Sequence, residues 1–194
     1  AVIGGQGWEE EVENPRWIRL HAKRLRRLQQ SMARKQYDKK THKGSKNWEK
    51  AKKRVTAEQR KVKNQRKDFQ HKLSRKIADR YSAFLCEDLH IKGMVKNRRL
   101  SREISSVAWG QFFTMVKYKM QRQGKWLIQV DRWYPSSQTC SCCGYKNPEV
   151  KDLAVRAWTC PKCGVYHDRD INAKDNIFAR GVKDLKAAGV TILP

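Results

Sequence analysis

The sequence predicts an α/β fold, and three observations support this assignment. An apolar run over 82–89, an amphipathic pattern over 105–123 and a second apolar run over 125–130 give the order strand, helix, strand. Strands joined by a crossover helix pair in parallel. Two basic segments with helical periodicity precede this unit, and two pairs of cysteines follow it. We therefore expect a mixed α/β domain that carries a helical segment and a small metal-binding module.

The net charge identifies the class of partner. The 194 residues include 44 Lys and Arg against 19 Asp and Glu, which gives a charge of +25. A charge of this size repels itself in a compact protein unless a polyanion neutralises it. Nucleic acid is favoured, because Lys and Arg release counterions from phosphates. An acidic membrane surface is the alternative, but no apolar run of about 18 residues could span a bilayer, and no signal-peptide pattern opens the chain. We expect no membrane partner.

The first elements are a short strand over 1–5 and a basic block over 16–80. The block holds 25 Lys and Arg against five acidic residues, and a turn signal at 41–46 divides it. We predict two long antiparallel helices, each with a narrow apolar seam and a wide basic face. A solvated hairpin without a ligand is the alternative, but solvated faces usually mix charges of both signs. The seam residues are Ile18, Leu25, Leu28, Met32, Val55, Val62, Phe69, Leu73 and Ile77.

The strand predicted over 82–89 is apolar until it ends in two carboxylates, Glu87 and Asp88. Continuous apolar runs are typical of buried parallel strands, and functional groups collect at the carboxyl ends of such strands. The helix over 105–123 follows, with a cap at Ser105 or Ser106 and an end at Gly124.

The last helix is predicted from about 169 to 180, with Gly181 just past its end. Three tryptophans could stack on the bases of a single strand, although core packing is the more common use of such residues. They are Trp109, Trp126 and Trp133.

Two CxxC pairs, sixteen residues apart, predict one structural zinc site. Zinc takes four thiolates in tetrahedral geometry and leaves no open position. Gly144 and Gly164 follow the pairs, where the turn needs a positive φ. Unrelated thiols or a redox pair are the alternative. The four ligands are Cys140, Cys143, Cys160 and Cys163. We expect Cys142 to be a thiol that does not bind the metal and Cys86 to be a core residue. We expect His167 to lie at the surface or next to the metal ligands. Clustered pairs favour a reducing, intracellular setting over a disulfide framework.

Two carboxylates lie where a second metal site could form. Phosphodiester hydrolysis by divalent metals requires several converging carboxylates, and Mg²⁺ prefers such oxygen ligands. Glu87 at a strand end and Asp170 at a helix start are suitably placed. Either can equally be a surface charge or a helix cap, and Asp168 in particular fits the N-cap position.

Several stretches resemble the TnpB family of insertion-sequence-encoded, RNA-guided DNA endonucleases, which are related to type V CRISPR effectors and are often labelled transposases. The stretch 84–94 is similar to the family's second RuvC motif, 167–173 to its third, and 135–144 with 158–164 to its zinc ribbon. Segments 14–17 and 64–69 match as well, and the similarity runs from about residue 9 to 181.

The resemblance implies an RNase H-like (RuvC) domain with the zinc ribbon inserted before the last helix. It divides the chain into a partial RuvC domain over 1–135, which includes the basic hairpin at 16–80, a ribbon over 136–166, and a C-terminal RuvC helix and tail over 167–194. One structural Zn²⁺ and catalytic Mg²⁺ or Mn²⁺ are the implied cofactors. Guide RNA and DNA are the implied partners, in the cytoplasm or nucleoid of a prokaryote.

Residue by residue, Glu87 matches the family's second catalytic acid and Asp170 its third, and both would bind the divalent metal. Asp168 is the less favoured choice. Arg169 is expected to contact a phosphate. The family usually has small or apolar residues at the positions of Lys174 and Asp175, so this chain adds charge to a helix that is expected to pack.

The family's first motif, an Asp on the opening strand, has no match here, and the first Asp is Asp38. We therefore expect a RuvC domain that is incomplete at its N-terminus, holds two of three acids and does not cut DNA by itself. A second chain with the missing half would restore activity. The alternatives are a nuclease-inactive module that binds nucleic acid and a structural RNA-binding protein of the ribosomal zinc-ribbon type.

Overall fold

The computed structural model describes residues 2–5, 8–98 and 101–191, and these form a mixed α/β protein. The strands are β1 (Val2–Gly5), β2 (Trp8–Glu11), β3 (Tyr37–Asp38), β4 (Lys43–Gly44), β5 (Ala83–Glu87), β6 (Trp126–Val130), β7 (Ala157–Thr159) and β8 (Tyr166–Asp168). The helices are α1 (Trp17–Ala33), α2 (Lys46–Arg80), α3 (Ile91–Met94), α4 (Ser101–Val107), α5 (Trp109–Arg122) and α6 (Arg169–Ala187), and a 3-10 helix covers Pro148–Lys151.

The described residues divide into two compact units. One unit is drawn from Ala1–Asn14, Arg80–His90 and Lys117–Pro194. The other is drawn from Pro15–Asp79 and Ile91–Val116. None of the helices in the described part of the chain combines the length and the apolar character that crossing a bilayer requires.

In the second unit, α1 and α2 occupy the basic block. The short strands β3 and β4 pair antiparallel between them, and the Ser45 hydroxyl caps α2 by accepting a 3.2 Å bond from the Trp48 amide. Val55 and Ile77 of the apolar seam are buried, while most of the Lys and Arg side chains are exposed. The helices are joined by Glu58 of α2, which is only 5 % exposed and contacts His21 and Arg24 of α1.

The prediction of a single helix over 105–123 is wrong, because the chain forms two helices separated at Ala108. Ala108 has a φ of 53°, and this left-handed conformation interrupts the helical hydrogen-bond ladder. The side-chain amide of buried Gln70 donates to two carbonyls at this break, at 2.6 Å to that of Val107 and 3.2 Å to that of Ala108. Ser105 and Ser106 therefore lie inside α4 and do not cap a helix; the Ser106 hydroxyl donates to the Glu103 carbonyl at 2.7 Å.

In the first unit, β5 and β6 pair in parallel, as the order strand, helix, strand predicts. The register places Glu87 opposite Val130 at the carboxyl ends of both strands. Helix α6 packs against both of these strands and against β1 and β8. The antiparallel hairpin of β1 and β2 accounts for the strand predicted near the start, apart from residue 1, which lies outside the described residues.

The predicted end of the last helix at Gly181 is also wrong. Gly181 is buried within α6, where a Cβ atom would lie 2.8 Å from Leu85 of β5. The missing side chain thus allows the helix to approach the strand closely. The end comes at Gly189, which has a φ of 80° and is followed by a 3.1 Å bond from the Val190 amide to the Leu185 carbonyl. Gly124, by contrast, ends α5 as predicted, with a φ of 62°.

Candidate functional site

Two turns with the same hydrogen-bond pattern carry the cysteine pairs. In the first, the Cys140 amide donates to Tyr145 at 2.8 Å, and the Gly144 amide donates back to the Cys140 carbonyl at 2.9 Å. In the second, which connects β7 to β8, the corresponding bonds join Cys160 with Val165 and Gly164 with Cys160, each at 2.9 Å. The two glycines have φ values of 74° and 72°, as the sequence predicts, because side chains rarely tolerate this conformation.

The four sulfur atoms converge. All four Sγ atoms lie within 4.8 Å of one another. The Cys140–Cys163 pair is 3.7 Å apart and the Cys143–Cys160 pair 3.6 Å. Zinc–sulfur bonds of about 2.3 Å in a tetrahedron imply sulfur separations of about 3.8 Å. The donor set therefore fits a bound metal ion.

The two remaining cysteines lie outside this cluster. Cys142 is exposed, although it belongs to the first turn. Cys86 is half-buried in β5, where burial raises the pKa of its thiol to about 12. A thiol in that state is neutral at physiological pH and behaves as a small core residue, in line with its prediction from the sequence.

Of the two positions that the sequence allows for His167, at the surface or next to the metal ligands, the structure favours the second. Its ring is buried in β8 with Nε2 at 3.1 Å from Cys140 Sγ, and it contacts the Trp158 ring, 4.8 Å away between centroids. A protonated Nε2 at this distance donates a hydrogen bond to a thiolate, as outer-shell partners of metal ligands do. The signal for burial was the strand alternation, since His167 pairs with buried Trp158 across β7 and β8.

The candidate acid Glu87 lies at the carboxyl end of β5 and is half-buried. Its Oε1 atom accepts a 2.6 Å hydrogen bond from the hydroxyl of Ser136, which is 5 % exposed. The neighbouring Asp88 is held by Arg132, whose Nε donates to it at 3.0 Å. One carboxylate at this strand end is thus engaged by an arginine, while the other is held through a single oxygen by a hydroxyl.

The candidate acid Asp170 lies in the first turn of α6 and is exposed. Asp168 is the N-cap of this helix, and its Oδ1 accepts the amides of Asp170 at 2.9 Å and Ile171 at 3.1 Å. The structure therefore confirms the prediction that Asp168 is the N-cap of the last helix. Arg169 donates from Nη1 to two carbonyls of the loop before β7, those of Asp152 at 3.0 Å and Val155 at 3.3 Å. The sequence did not predict this structural contact.

Two asparagines on α6 form a clamp that sequence reasoning missed. Asn172 and Asn176 are 1 % and 6 % exposed, and both donate to the carbonyl of Thr139, at 2.7 and 2.6 Å. Asn176 also donates to the Ser136 carbonyl at 2.8 Å. Asn172 Oδ1 accepts the amide of Ser141, beside the first zinc-ligand candidate, at 2.9 Å. The signal was their spacing of four residues, which places both on one helix face.

These contacts connect the two candidate acids. Glu87 binds the Ser136 side chain, the Ser136 carbonyl is held by Asn176 of α6, and Asp170 lies in the first turn of that helix. Within residues 2–5, 8–98 and 101–191, the four cysteines are the one cluster of three or more His, Cys, Asp or Glu side chains with converging ligand atoms. Glu87 and Asp170 belong to no such cluster among these residues.

Two known families match this chain. The family described as "Probable transposase" (OrfB_IS605) matches residues 2–98, half of the chain. The family described as "Cas12f1-like, TNB domain" matches residues 109–177, which include all four clustered cysteines.

Individual relatives agree with these matches. A Streptomyces pristinaespiralis protein named as an RNA-guided DNA endonuclease is 38% identical over 173 residues, which cover 89% of this chain and 41% of the relative. A TnpB-like protein of Acanthamoeba polyphaga mimivirus is 28% identical over 131 residues, 64% of this chain and 24% of that protein. The chain thus spans less than half the length of these relatives.

A solved structure is similar as well. The Cas12f1 chain in a complex with single guide RNA and target DNA aligns with a TM-score of 0.59 at 16% identity, over 89% of this chain and 44% of that one. At this identity the similarity concerns the fold alone. The family match over half of the chain is the stronger finding, and by it the protein belongs to the probable transposase family that includes the TnpB proteins.

Proposed function

We propose that this chain is the C-terminal RuvC and zinc-ribbon part of an RNA-guided DNA endonuclease. In this proposal the domain is RNase H-like, with boundaries at 1–135, 136–166 and 167–194, and Glu87 and Asp170 are two of three acids that hold a divalent metal. The observation that carries the proposal is the hydrogen-bond path from Glu87 through Ser136 to α6. It connects the two separate motifs in which the family's acids are expected.

The side chains around each acid suit a metal ligand. Ser136 holds one oxygen of Glu87, which leaves the second oxygen of that carboxylate for a cation. Asp168 takes the capping position of α6, which leaves the exposed carboxylate of Asp170 for the same purpose. Mg²⁺ or Mn²⁺, when bound, supplies an activated water and neutralises charge on the phosphate. Oxygen ligands of this type are the ones that Mg²⁺ prefers.

The cysteine cluster would hold one structural Zn²⁺. A closed four-thiolate site has no position for substrate, so its contribution is to folding. The clamp of Asn172 and Asn176 supports this, because it attaches the segment before the first cysteine turn to α6. The zinc ribbon would in this way brace the segment that contains Ser136, and through it Glu87.

The basic helices would bind nucleic acid. The charge of +25 favours a polyanion, and the Cas12f1 chain of similar fold is in a complex with guide RNA and target DNA. We assign guide RNA and target DNA as the partners of this chain, with the backbone of the heteroduplex read by shape. The third acid and the remaining guide contacts would come from protein outside these 194 residues, in the same polypeptide or on a second chain.

A chimera tests the proposal. The matching segment of the Streptomyces relative is replaced by this chain, and Mg²⁺-dependent cleavage of guide-matched DNA is measured. We expect cleavage by the chimera, loss of cleavage with Glu87→Gln or Asp170→Asn, and retention with Asp184→Asn, a control on the same helix whose carboxylate pairs with Arg180.

Unchanged cleavage in the Glu87 or Asp170 variants would refute the assignment of these two residues as ligands of the catalytic metal. DNA binding without cleavage by the unsubstituted chimera would favour the alternative function, a nuclease-inactive module that binds nucleic acid.

A further inference from the structure

One aromatic side chain stands free of the protein core. Trp133 is 84% exposed, the largest value among the exposed large hydrophobic residues of the described chain. Trp126 is 45% exposed in β6, and Trp109 is half-buried with its ring stacked on Phe113 at 5.8 Å. Of the three tryptophans for which the sequence leaves core packing and base stacking open, Trp133 is the most exposed to solvent.

The backbone beneath Trp133 is held on both sides. The Trp133 amide donates to Asp131 Oδ1 at 2.7 Å, which fixes the turn that follows β6. Arg132, the preceding residue, pairs with Asp88. Ser136, three residues further on, binds Glu87. The exposed indole is therefore carried on a turn that is attached to the carboxyl end of β5 at two adjacent carboxylates.

Three physical facts suggest what binds there. An exposed indole offers a large apolar face with a low cost in conformational entropy, because it has few rotatable bonds. The charge of +25 concentrates nucleic acid around the protein. Stacking of a base on an aromatic ring is tolerant of sequence, but it requires a base with a free face, which a base inside a duplex lacks.

We propose that Trp133 is a stacking platform for an unpaired base of the nucleic-acid strand that approaches Glu87. This inference rests on the proposed function, since it takes the end of β5 as the site to which the strand is delivered. It adds the contact that holds the strand, one unpaired base stacked on an indole beside the acid. The competing occupant of Trp133 is an apolar segment of protein outside this chain.

The test is a binding titration of the full 194-residue chain without added magnesium. The probe is a fluorescently labelled single-stranded DNA, compared with a strand of equal length that carries abasic positions throughout and with the duplex. The variants are Trp133→Ala, Trp133→Phe and the control Tyr166→Ala, which removes another exposed ring, 69% accessible, from β8. Zinc content and far-ultraviolet circular dichroism establish that each variant is folded.

We expect Trp133→Ala to weaken binding of the normal single strand by roughly fivefold to a hundredfold, the range for one base stacked on an aromatic ring. Trp133→Phe should retain most of the affinity, and Tyr166→Ala should match the wild type. The abasic strand should bind the wild type and Trp133→Ala equally, because it has no base to stack. The duplex should show no dependence on residue 133.

Equal affinity of wild type and Trp133→Ala for the normal strand would overturn the stacking assignment and leave an apolar protein segment as the occupant of Trp133. An equal loss on the normal and abasic strands would overturn it too, because the contact would then not involve a base. Neither result bears on the metal site, which the Glu87→Gln cleavage assay tests separately. A wild-type chain that binds none of the strands would contradict both proposals.

Discussion

The Ser136 hydroxyl donates a 2.6 Å hydrogen bond to Oε1 of Glu87. Because the Ser136 carbonyl is held by the Asn176 side chain of α6 at 2.8 Å, a single buried serine connects the end of β5 with the last helix. The segment that enters the ribbon is therefore the structural connection between the two motifs that carry the candidate acids.

Replacing Ser136 tests that connection. Ser136→Ala removes the hydrogen bond to a charged group, and we expect a loss of about 1.5–3 kcal/mol in the free energy of unfolding. Urea denaturation measures it, with Ser141→Ala as the control, since the Ser141 side chain is exposed and its backbone amide is retained. In a double-mutant cycle with Glu87→Gln the two losses should not add. Additive losses would mean that the bond contributes nothing.

The stability that the asparagine clamp contributes should depend on the side-chain N–H donors of Asn172 and Asn176. Asn172→Asp keeps an oxygen for the Ser141 amide but removes the Nδ2 donor to Thr139 and places a carboxylate in a site that is 1 % exposed. Buried polar groups without a partner cost about 1–3 kcal/mol, and charged ones cost more. We expect the unfolding free energy to fall by at least this amount. The exposed Asn64→Asp provides the matched control, and equal stability of the two variants would contradict the clamp.

The cysteine cluster should bind one zinc ion per chain. Cys143→Ser removes one thiolate of the tetrahedral set and should release the metal, whereas Cys142→Ser should leave the stoichiometry at one. Elemental analysis of purified protein gives the metal content of each variant. Full zinc content in Cys143→Ser, or loss in Cys142→Ser, would show that the ligand set is assigned incorrectly.

The buried Glu58 should make stability depend on pH. The hydrogen bond from His21 Nδ1, at 2.7 Å, lowers the pKa of Glu58 below its ordinary value of 4.5, and the charge of Arg24 lowers it further. A carboxyl group with a lowered folded pKa stabilises the protein at pH values above its unfolded pKa. That contribution is lost as the pH falls through the folded pKa.

Wild-type protein should therefore lose more stability than Glu58→Gln as the pH is lowered from 6 to about 3. Urea denaturation at a series of pH values gives the comparison, with Glu49→Gln as an exposed control on the same helix. Parallel pH curves for the wild type and Glu58→Gln would exclude the proposed ion pair.

The parts of the structure that sequence reasoning predicted are those set by local chemistry. Two CxxC spacings and two glycines define the metal turns without help from the rest of the chain. The apolar run before Glu87 places that residue at a strand end for the same reason. Asp168 is recognisable as a cap because its side chain bonds to amides two and three residues ahead.

The parts that were missed depend on contacts between distant residues. The break at Ala108 is stabilised by Gln70, 38 residues away in sequence. Gly181 looks like a helix end until Leu85 is seen packed against it. The clamp on Thr139 also depends on a distant segment: the spacing of Asn172 and Asn176 places both on one helix face, but it does not identify the carbonyl that they bind.

We propose that Glu87 and Asp170 bind the same divalent cation, and a Mn²⁺ titration measures this binding. Zinc-loaded protein is titrated with Mn²⁺, and free metal is measured by electron paramagnetic resonance. We expect Glu87→Gln and Asp170→Asn each to weaken Mn²⁺ binding by about tenfold or more, while Asp184→Asn binds like the wild type. Identical binding curves for all four proteins would contradict it.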